Sequence, residues 1–147
     1  MRFFPVFLVL LTLVSSQAAC SDAQRTNLSI MGNKVSVEVA HTQLSRAEGL
    51  MYRKSLAADA GMLFIFPHAD FYSMWMKNTY VPLSVAFIDE RGVILNIADM
   101  HPESLKAHDS AGLAKYALEV NRGWFSARKI SAGMPVLGLE SVPAAEN

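Results

Sequence analysis

The sequence is poor in cysteine, in net charge and in long apolar runs, and each shortage excludes a class of protein. One cysteine among 147 residues rules out an internal disulfide. Thirteen basic residues balance thirteen acidic ones with no basic run, so the concentrated positive surface that binds nucleic acid is missing. We therefore expect no nucleic-acid partner. A chain of this length fits one domain, which buries about two-thirds of the surface of the unfolded chain. Such a domain needs no disulfide or structural metal to fold.

The longest apolar run lies at the start of the sequence and is typical of a signal peptide. Arg2 supplies a positive charge, residues 3–14 are almost all apolar, and small residues follow. This order of charged, apolar and small residues is that of an export signal. A membrane-spanning helix needs roughly 20 apolar residues, so this run is too short to remain as an anchor. We predict a signal peptide over residues 1–19 and export of the remainder.

The single cysteine, Cys20, directly follows Ala18 and Ala19. The position resembles the bacterial lipobox, in which the cysteine receives a lipid and becomes the first residue of the mature protein. Gln17 departs from that pattern, since an aliphatic residue is usual there. Because an exposed free thiol is a liability in an oxidising compartment, we expect lipidation, and attachment to the periplasmic face of the cell envelope through this anchor alone. The alternative is ordinary cleavage near Ala19, which leaves a free cysteine.

Short apolar runs after the leader predict one mainly β domain over residues 28–140. Val35, Val37 and Val39 alternate with other residues at period two, and the preceding Gly32-Asn33 indicates a hairpin turn. Further strands are predicted over residues 61–66, 71–76, 81–88, 93–98, 115–121 and 136–139. Pro67 is expected to end the first of these. Because no long helices separate the strands, we predict a single antiparallel β-sandwich or barrel-like domain with one or two short helices.

Two short segments are predicted to be helical. Ser45 and Glu48 have the spacing of a capping box, and they predict a helix of about two turns that Gly49 weakens. Residues 123–130 predict a second short helix. The irregular segments are a flexible tether over 20–27, a long surface loop over 99–114 and a disordered tail over 141–147.

Several motifs in a fixed order match a known pattern. They are Arg46-Ala47-Glu48-Gly49-Leu50-Met51-Tyr52-Arg53, Gly61-Met62-Leu63-Phe64, Trp75-Met76-Lys77-Asn78-Thr79, Pro82-Leu83, Phe87-Ile88-Asp89 and Tyr116-Ala117-Leu118-Glu119-Val120-Asn121. Over residues 35–139 the chain resembles the bacterial and archaeal family called domain of unknown function 192. The resemblance implies a single β-sandwich-like domain, often exported, and implies no activity. Ser84 stands where many members have aspartate, which weakens any catalytic proposal at that position.

The polar residues of these motifs form the candidate site. Glu119 lies between Leu118 and Val120 in an apolar strand, where an unpaired buried carboxylate is costly. If it is buried, we expect Arg46 or Arg53 to pair with it. We predict a polar and aromatic patch that binds a small polar ligand, such as a sugar, a peptide end or an anion, or a partner protein of the envelope. The predicted ligand-binding residues are Arg46, Glu48, Arg53, Trp75, Lys77, Asn78, Thr79 and Glu119.

Two other interpretations of this patch stay open. The polar residues could serve structure alone, with Glu48 in its capping box and residues 77–79 in a strand-ending turn. A structural or interaction domain of that kind would have an exposed apolar patch and no well-formed pocket. An envelope hydrolase using Glu119 as its acid or base would need a second acid across the site. No G-x-S-x-G nucleophile motif occurs.

We expect no cofactor and no metal. The four histidines, at positions 41, 68, 101 and 108, lack the spacing of a zinc site. Met74 and Met76 share one predicted strand face, and thioethers can bind Cu(I) in an exported protein. Methionine is also a common filler of protein cores, and we favour that role for both residues.

Overall fold

The structure, a computed structural model, describes residues 24–147. The predicted signal peptide and Cys20 lie outside the described residues. The strands are β1 (Arg25–Ile30), β2 (Asn33–Ala40), β3 (Ala60–Asp70), β4 (Ser73–Met74), β5 (Leu83–Ile88), β6 (Ile94–Met100), β7 (His108–Asp109) and β8 (Ala114–Asn121). The helices are α1 (Gln43–Glu48) and α2 (Trp124–Ala127), and a 3-10 turn covers Leu139–Ser141. The mainly β fold class with two short helices is confirmed.

Six strands form one mixed sheet in the order β1-β2-β3-β8-β5-β6, and β4 pairs with β7 apart from it. Neighbouring strands are antiparallel except β2 and β3, which are parallel because α1 and the segment after it carry the chain back across the sheet. Residues 133–137 bond to Ser29 of β1 and to Ile94 of β6, one at each edge of the sheet. These contacts are isolated bridges, so the described residues do not form a closed barrel.

The central strands β3 and β8 bury side chains on both faces of the sheet, which divides the core in two. One face carries Leu63 and packs against Phe125 of α2. The other face carries Phe64, which packs in a second cluster with Met76 and Phe87. Among the described residues, no helix is long and apolar enough to cross a membrane. The second face matters for function because it carries the candidate site.

The predicted first hairpin is confirmed, and its turn is Met31-Gly32. Both residues have positive φ, 52° and 77°, as a tight two-residue turn between twisted strands requires. β1 begins at Arg25, so residues 25–27 lie in a strand where we predicted a tether. Glu38 on β2 explains part of this extension, because its carboxylate accepts a hydrogen bond from Arg25 at 3.0 Å.

The predicted capping box at Ser45 and Glu48 is wrong, because α1 begins earlier. Thr42 is the residue that caps α1: its Oγ1 accepts a hydrogen bond from the Ser45 backbone N–H at 3.0 Å. The Ser45 hydroxyl in turn accepts from the Thr42 backbone N–H at 3.0 Å. Glu48 is therefore the last residue of the helix, and capping no longer explains it.

Four boundaries differ from the prediction. β3 continues through Pro67, where a register shift between Ile65 and Asp70 makes the missing N–H tolerable and Lys115 donates to the Pro67 carbonyl at 2.8 Å. Only Ser73–Met74 of residues 71–76 forms a strand. Within residues 136–139 only Leu137 makes a β-bridge, to Ser29, and no strand forms. Within the predicted disordered tail, the backbone N–H of residue 146 donates to the carbonyl of residue 41 at 2.8 Å.

Candidate functional site

An open cleft of about 640 Å³ lies on the second face of the sheet. One wall is α1 with the turn after it, residues 46–51, and the opposite wall is the segment of residues 72–79. β3 contributes Phe64, Phe66 and Pro67 between these walls, and β8 contributes Glu119. Residues distant in the sequence therefore meet because β3 and β8 are neighbours in the centre of the sheet.

Gly49 allows the turn after α1 to approach the sheet closely. Its φ is 51°, and a Cβ atom there would lie 3.1 Å from Cζ of Phe64. A side chain at this position would thus suffer both backbone strain and crowding against the cleft wall. Gly49, which the sequence alone indicates only as a residue that weakens the helix, therefore allows this wall of the cleft to form.

Glu119 is a nearly fully buried carboxyl group in an apolar setting. It is 4% exposed, and its cross-strand neighbours are Met62 on β3 and Val85 on β5. Within residues 24–147, no side chain or backbone group hydrogen-bonds to its carboxyl oxygens. Burial disfavours the charged form and raises the pKa of Glu119 to about 8. At neutral pH the group is therefore mostly protonated, and it can both donate and accept a hydrogen bond.

The expected arginine partners of Glu119 lie elsewhere, so that prediction is wrong. Arg53 donates to both carboxylate oxygens of Glu38, at 2.7 and 2.6 Å. This hydrogen bonding holds the pKa of Glu38 below its usual value despite burial. The pair lines a neighbouring cavity of about 520 Å³, on the far side of Glu48. Arg53 is accordingly the one predicted site residue that does not line the cleft.

Arg46 lines the cleft, but its guanidinium serves the backbone. Nη1 donates to the carbonyls of His41 and, at 3.1 Å, Ile65, while Nη2 donates to the carbonyl of Glu146 at 2.9 Å. These three bonds hold α1, β3 and the end of the chain together. Three of the five guanidinium N–H donors thus bond to the backbone, and none bonds to Glu119.

Most of the remaining predicted residues lie on the rim of the cleft. Glu48 is exposed there, and Trp75 is 50% exposed with the Lys77 ammonium group 5.4 Å from its ring centroid. Asn78 has positive φ, 52°, and donates from its side chain to the Tyr52 hydroxyl at 2.9 Å.

Residues 77–79 form a turn, which agrees with the structural interpretation of this motif. The Thr79 hydroxyl donates to the Lys77 carbonyl at 3.0 Å. Together with Arg46, Glu119 and the buried Thr79, the rim residues Glu48, Trp75, Lys77 and Asn78 make seven of the eight predicted ligand-binding residues that line the cleft.

Sequence reasoning missed the apolar walls. Phe66 and Tyr72 stack face to face, with ring centroids 3.7 Å apart and an interplanar angle of 10°. Met51 and Met74 also line the cleft, whereas Met76 is fully buried in the core. Period two along β3 could have placed Phe64 and Phe66 on one face, but only strand pairing shows that Glu119 shares that face. Among residues 24–147, no group of three or more histidine, cysteine, aspartate or glutamate side chains is placed to hold a metal ion.

Comparison with known proteins gives a family but no activity. Residues 26–137 match the profile of domain of unknown function 192 (DUF192), described as an uncharacterized ACR. The chain belongs to the DUF192 family. The resemblance drawn from the motifs is therefore confirmed. No curated protein matches this DUF192 chain.

Two solved structures resemble this DUF192 chain closely. A Sinorhizobium meliloti protein, described as a candidate transcription regulator, is 37% identical with a TM-score of 0.73, over 78% of this chain and 92% of that chain. A Novosphingobium aromaticivorans protein of unknown function is 29% identical with a TM-score of 0.75, over 82% of this chain and 89% of that chain. Both likenesses support the fold, and neither supplies a reaction.

Proposed function

We propose that this DUF192 domain binds a small polar ligand in its cleft, on the periplasmic face of the cell envelope, where a lipid on Cys20 anchors it. The observation that carries the proposal is the Glu119 carboxyl group, buried at the cleft without a hydrogen-bond partner among residues 24–147. Within these residues His41 Nδ1 is the side-chain polar atom that is both sealed from solvent and without a hydrogen bond, so the Glu119 oxygens keep contact with the open cleft. A ligand that enters the cleft can therefore hydrogen-bond to them.

The composition of the cleft also supports ligand binding. Binding sites for small molecules are concave and largely apolar, with a few placed polar groups. Here the walls include Leu50, Phe64 and Phe66. The buried polar side chains of the cleft are Glu119 and Thr79, while charged residues such as Glu48 and Lys77 are exposed at the rim. A purely structural or interaction domain gives no reason for such a cleft, so the binding role is favoured over it.

A partner protein could use the same cleft by inserting a peptide end. Tyr52 and Tyr80 are exposed and meet edge to face, with ring centroids 6.3 Å apart. Asn78, which lines the cleft, bonds to Tyr52, so this aromatic pair lies beside the cleft. Aromatic side chains are enriched at protein interfaces, which makes this the surface that a partner would contact.

One observation favours a second candidate function, hydrolysis. Glu48 and Glu119 line the same cleft, and their environments differ because the first is exposed and the second is buried. Since the pKa of Glu119 is raised to about 8, it could act as a general acid at neutral pH, with Glu48 as the ionised group. A hydrolase of this type would lose turnover in a Glu48→Gln variant while still binding its substrate.

The description of the Sinorhizobium protein as a transcription regulator does not fit this chain by charge. Binding to DNA draws on clustered lysine and arginine residues facing the phosphate backbone. The sequence has thirteen basic and thirteen acidic residues without a basic run. We therefore do not extend DNA binding to this DUF192 domain.

A thermal-shift screen of envelope metabolites tests the proposal. Ligands that raise the melting temperature of the wild type should lose that effect in Glu119→Gln, because the buried carboxyl group is gone, and should change it in Lys77→Ala. Matched controls are Glu90→Gln and Lys54→Ala, which make the same substitutions at exposed positions outside the cleft. Trp75 gives a second readout, since its fluorescence should respond to binding and the response should vanish in Trp75→Phe.

Two results would count against this site. Hits whose shift survives in Glu119→Gln would place the ligand elsewhere on the domain. A screen without hits, combined with unchanged Trp75 fluorescence, would favour the structural interpretation.

A further inference from the structure

The deep part of the cleft offers few hydrogen-bonding groups to a ligand. Two polar side chains that line it are almost fully buried, Glu119 and Thr79. The Thr79 hydroxyl already donates to the Lys77 carbonyl. Glu119 is therefore the main polar contact for whatever enters.

This shortage of partners argues against a sugar or another polyol in the deep part of the cleft. Each buried hydroxyl group needs a hydrogen-bond partner of its own, or it carries a desolvation penalty. Glu119 could satisfy one hydroxyl, and the neighbouring walls formed by Phe64 and Phe66 could satisfy none.

The small number of available hydrogen-bond donors also argues against an anionic ligand. An anion is held by several donors, and the Arg46 guanidinium already serves three backbone carbonyls. The Lys77 ammonium group lies on the exposed rim against the Trp75 ring. At Glu119 a bound anion would meet either a protonated carboxyl group, which offers a single donor, or an ionised one, which repels it.

An organic ammonium group fits the remaining features of the cleft, which are its apolar walls and one buried carboxyl group. Aromatic faces and thioethers surround such a cation favourably, and the cleft walls provide Phe64, Phe66, Tyr72 and Met74. We propose that the ligand of the cleft carries an organic ammonium group, which pairs with the Glu119 carboxylate between these apolar walls. The inference rests on the proposed function, because it names the chemical class of ligand for the same cleft.

Binding of this kind would be linked to proton release. The free carboxyl group has a pKa raised to about 8, so at pH 7 it must lose its proton to pair with a cation, which lowers affinity about tenfold. The other charges at the cleft are Arg46 and Glu48 on α1 and Lys77 on the rim. The side chains that face Glu119 from the flanking strands, Met62 and Val85, are apolar and cannot accept a proton. The proton that Glu119 loses on binding is therefore released to the solvent.

Calorimetry with three matched probes tests the inference on the purified protein. The probes are 2-phenylethylammonium, neutral 2-phenylethanol and anionic 3-phenylpropionate, titrated at pH 7 in two buffers of different ionisation enthalpy. The ammonium probe should bind at least tenfold more tightly than the other two and release close to one proton per molecule bound. N-acetyl-lysine methylamide then distinguishes a lysine side chain of a partner protein from a free amine.

Two variants give effects of opposite sign. Glu119→Gln should weaken binding of the ammonium probe at least tenfold and abolish proton release. Lys77→Met should tighten it severalfold, because a like charge leaves the rim and the Trp75 face becomes free. Lys77 is exposed, so this variant keeps the test valid even if Glu119→Gln folds poorly.

The outcomes distinguish a failure of the ammonium assignment from a failure of the proposed ligand binding itself. Equal affinity for the alcohol, or weaker ammonium binding in Lys77→Met, would overturn the ammonium assignment. If the alcohol or the carboxylate binds in a manner that depends on Glu119, the cleft remains a ligand site of a different class. If none of the probes binds and the metabolite screen has no Glu119-dependent hit, both proposals fail.

Discussion

At the scale of single residues, the unusual feature is the Glu119 carboxyl group, which lies in the middle of a sheet and has no hydrogen-bond partner within residues 24–147. Glu38 shows the ordinary solution in the same protein, because it is nearly as buried and has Arg53 and Arg25 as hydrogen-bond donors. Its pKa is accordingly lowered, whereas burial raises the pKa of Glu119. The pKa values of these two buried glutamates thus shift in opposite directions, because Glu38 pairs with two arginines and Glu119 pairs with none.

The Glu119→Gln variant should change how stability depends on pH. The unfolded group has a pKa of 4.5 and the folded group about 8, so between these values the native state holds a proton that the unfolded state has lost. The free energy of unfolding of the wild type should therefore fall, relative to Glu119→Gln, as the pH rises from about 4.5 to about 8, and level off above. The total change is on the order of 5 kcal/mol.

Urea unfolding of both proteins across this pH range measures the effect. Glu90→Gln is the control, because its carboxylate is exposed. A difference between wild type and Glu119→Gln that stays constant with pH would mean that Glu119 titrates normally, and the argument for a neutral carboxyl group would be lost.

At the scale of secondary-structure elements, the contact between β3 and β8 holds the cleft together. Gly61 on β3 lies against the backbone of β8, where a Cβ atom would come within 2.4 Å of the Glu119 carbonyl oxygen. That oxygen belongs to the backbone and cannot rotate away as a side chain could. Glycine at this position therefore permits the two strands to lie in register under Glu119.

Gly61→Ala should destabilise the protein by about 3 kcal/mol, because one strand must move to relieve the overlap. Urea unfolding gives the value, and the loss of Trp75 response to ligand would report distortion of the cleft. Gly112→Ala is a matched control, since its Cβ atom would meet only the Leu95 side chain at 3.4 Å. Equal stability of the two variants would show that β3 and β8 are less tightly coupled than the contact implies.

At the scale of the whole molecule, the sheet is covered on both faces and the cleft opens on one of them. α2 packs on the first face through Phe125, and α1 with residues 72–79 covers the second. The strands and the residues that line the cleft all lie within residues 24–147, whereas the proposed lipid attachment is at Cys20. The proposed anchoring and the proposed ligand binding can therefore be tested separately.

Cys20→Ser should move the protein from the membrane fraction to the soluble periplasmic fraction without changing its melting temperature. The reason is that the thiol is the proposed attachment point of the lipid, while the described strands and both core clusters lie within residues 24–147. Fractionation and mass spectrometry of the wild type measure this, and Ser21→Ala should stay with the membrane as a control. An unmodified, soluble wild type would end the lipidation proposal and leave the β domain intact.

Local features of the chain were readable from sequence because they depend on neighbouring residues. The turn at Gly32, the period-two strand of β2 and the family motifs all belong to this kind, and so does the expectation that residue 119 sits in an apolar strand. Steric limits on φ and the alternation of side chains act within a few residues, so the printed sequence carries them in full.

Contacts between distant segments were decided by the tertiary structure. Arg53 could reach either Glu38 or Glu119 as far as sequence shows, and only the parallel pairing of β2 with β3 assigns it to Glu38. The same pairing order puts β8 between two apolar strands and leaves Glu119 facing the cleft without a cation. The alternation of residues along a strand indicates which face of the sheet a side chain lies on. Which residue of another segment it contacts depends on the order and register of all the strands in the sheet.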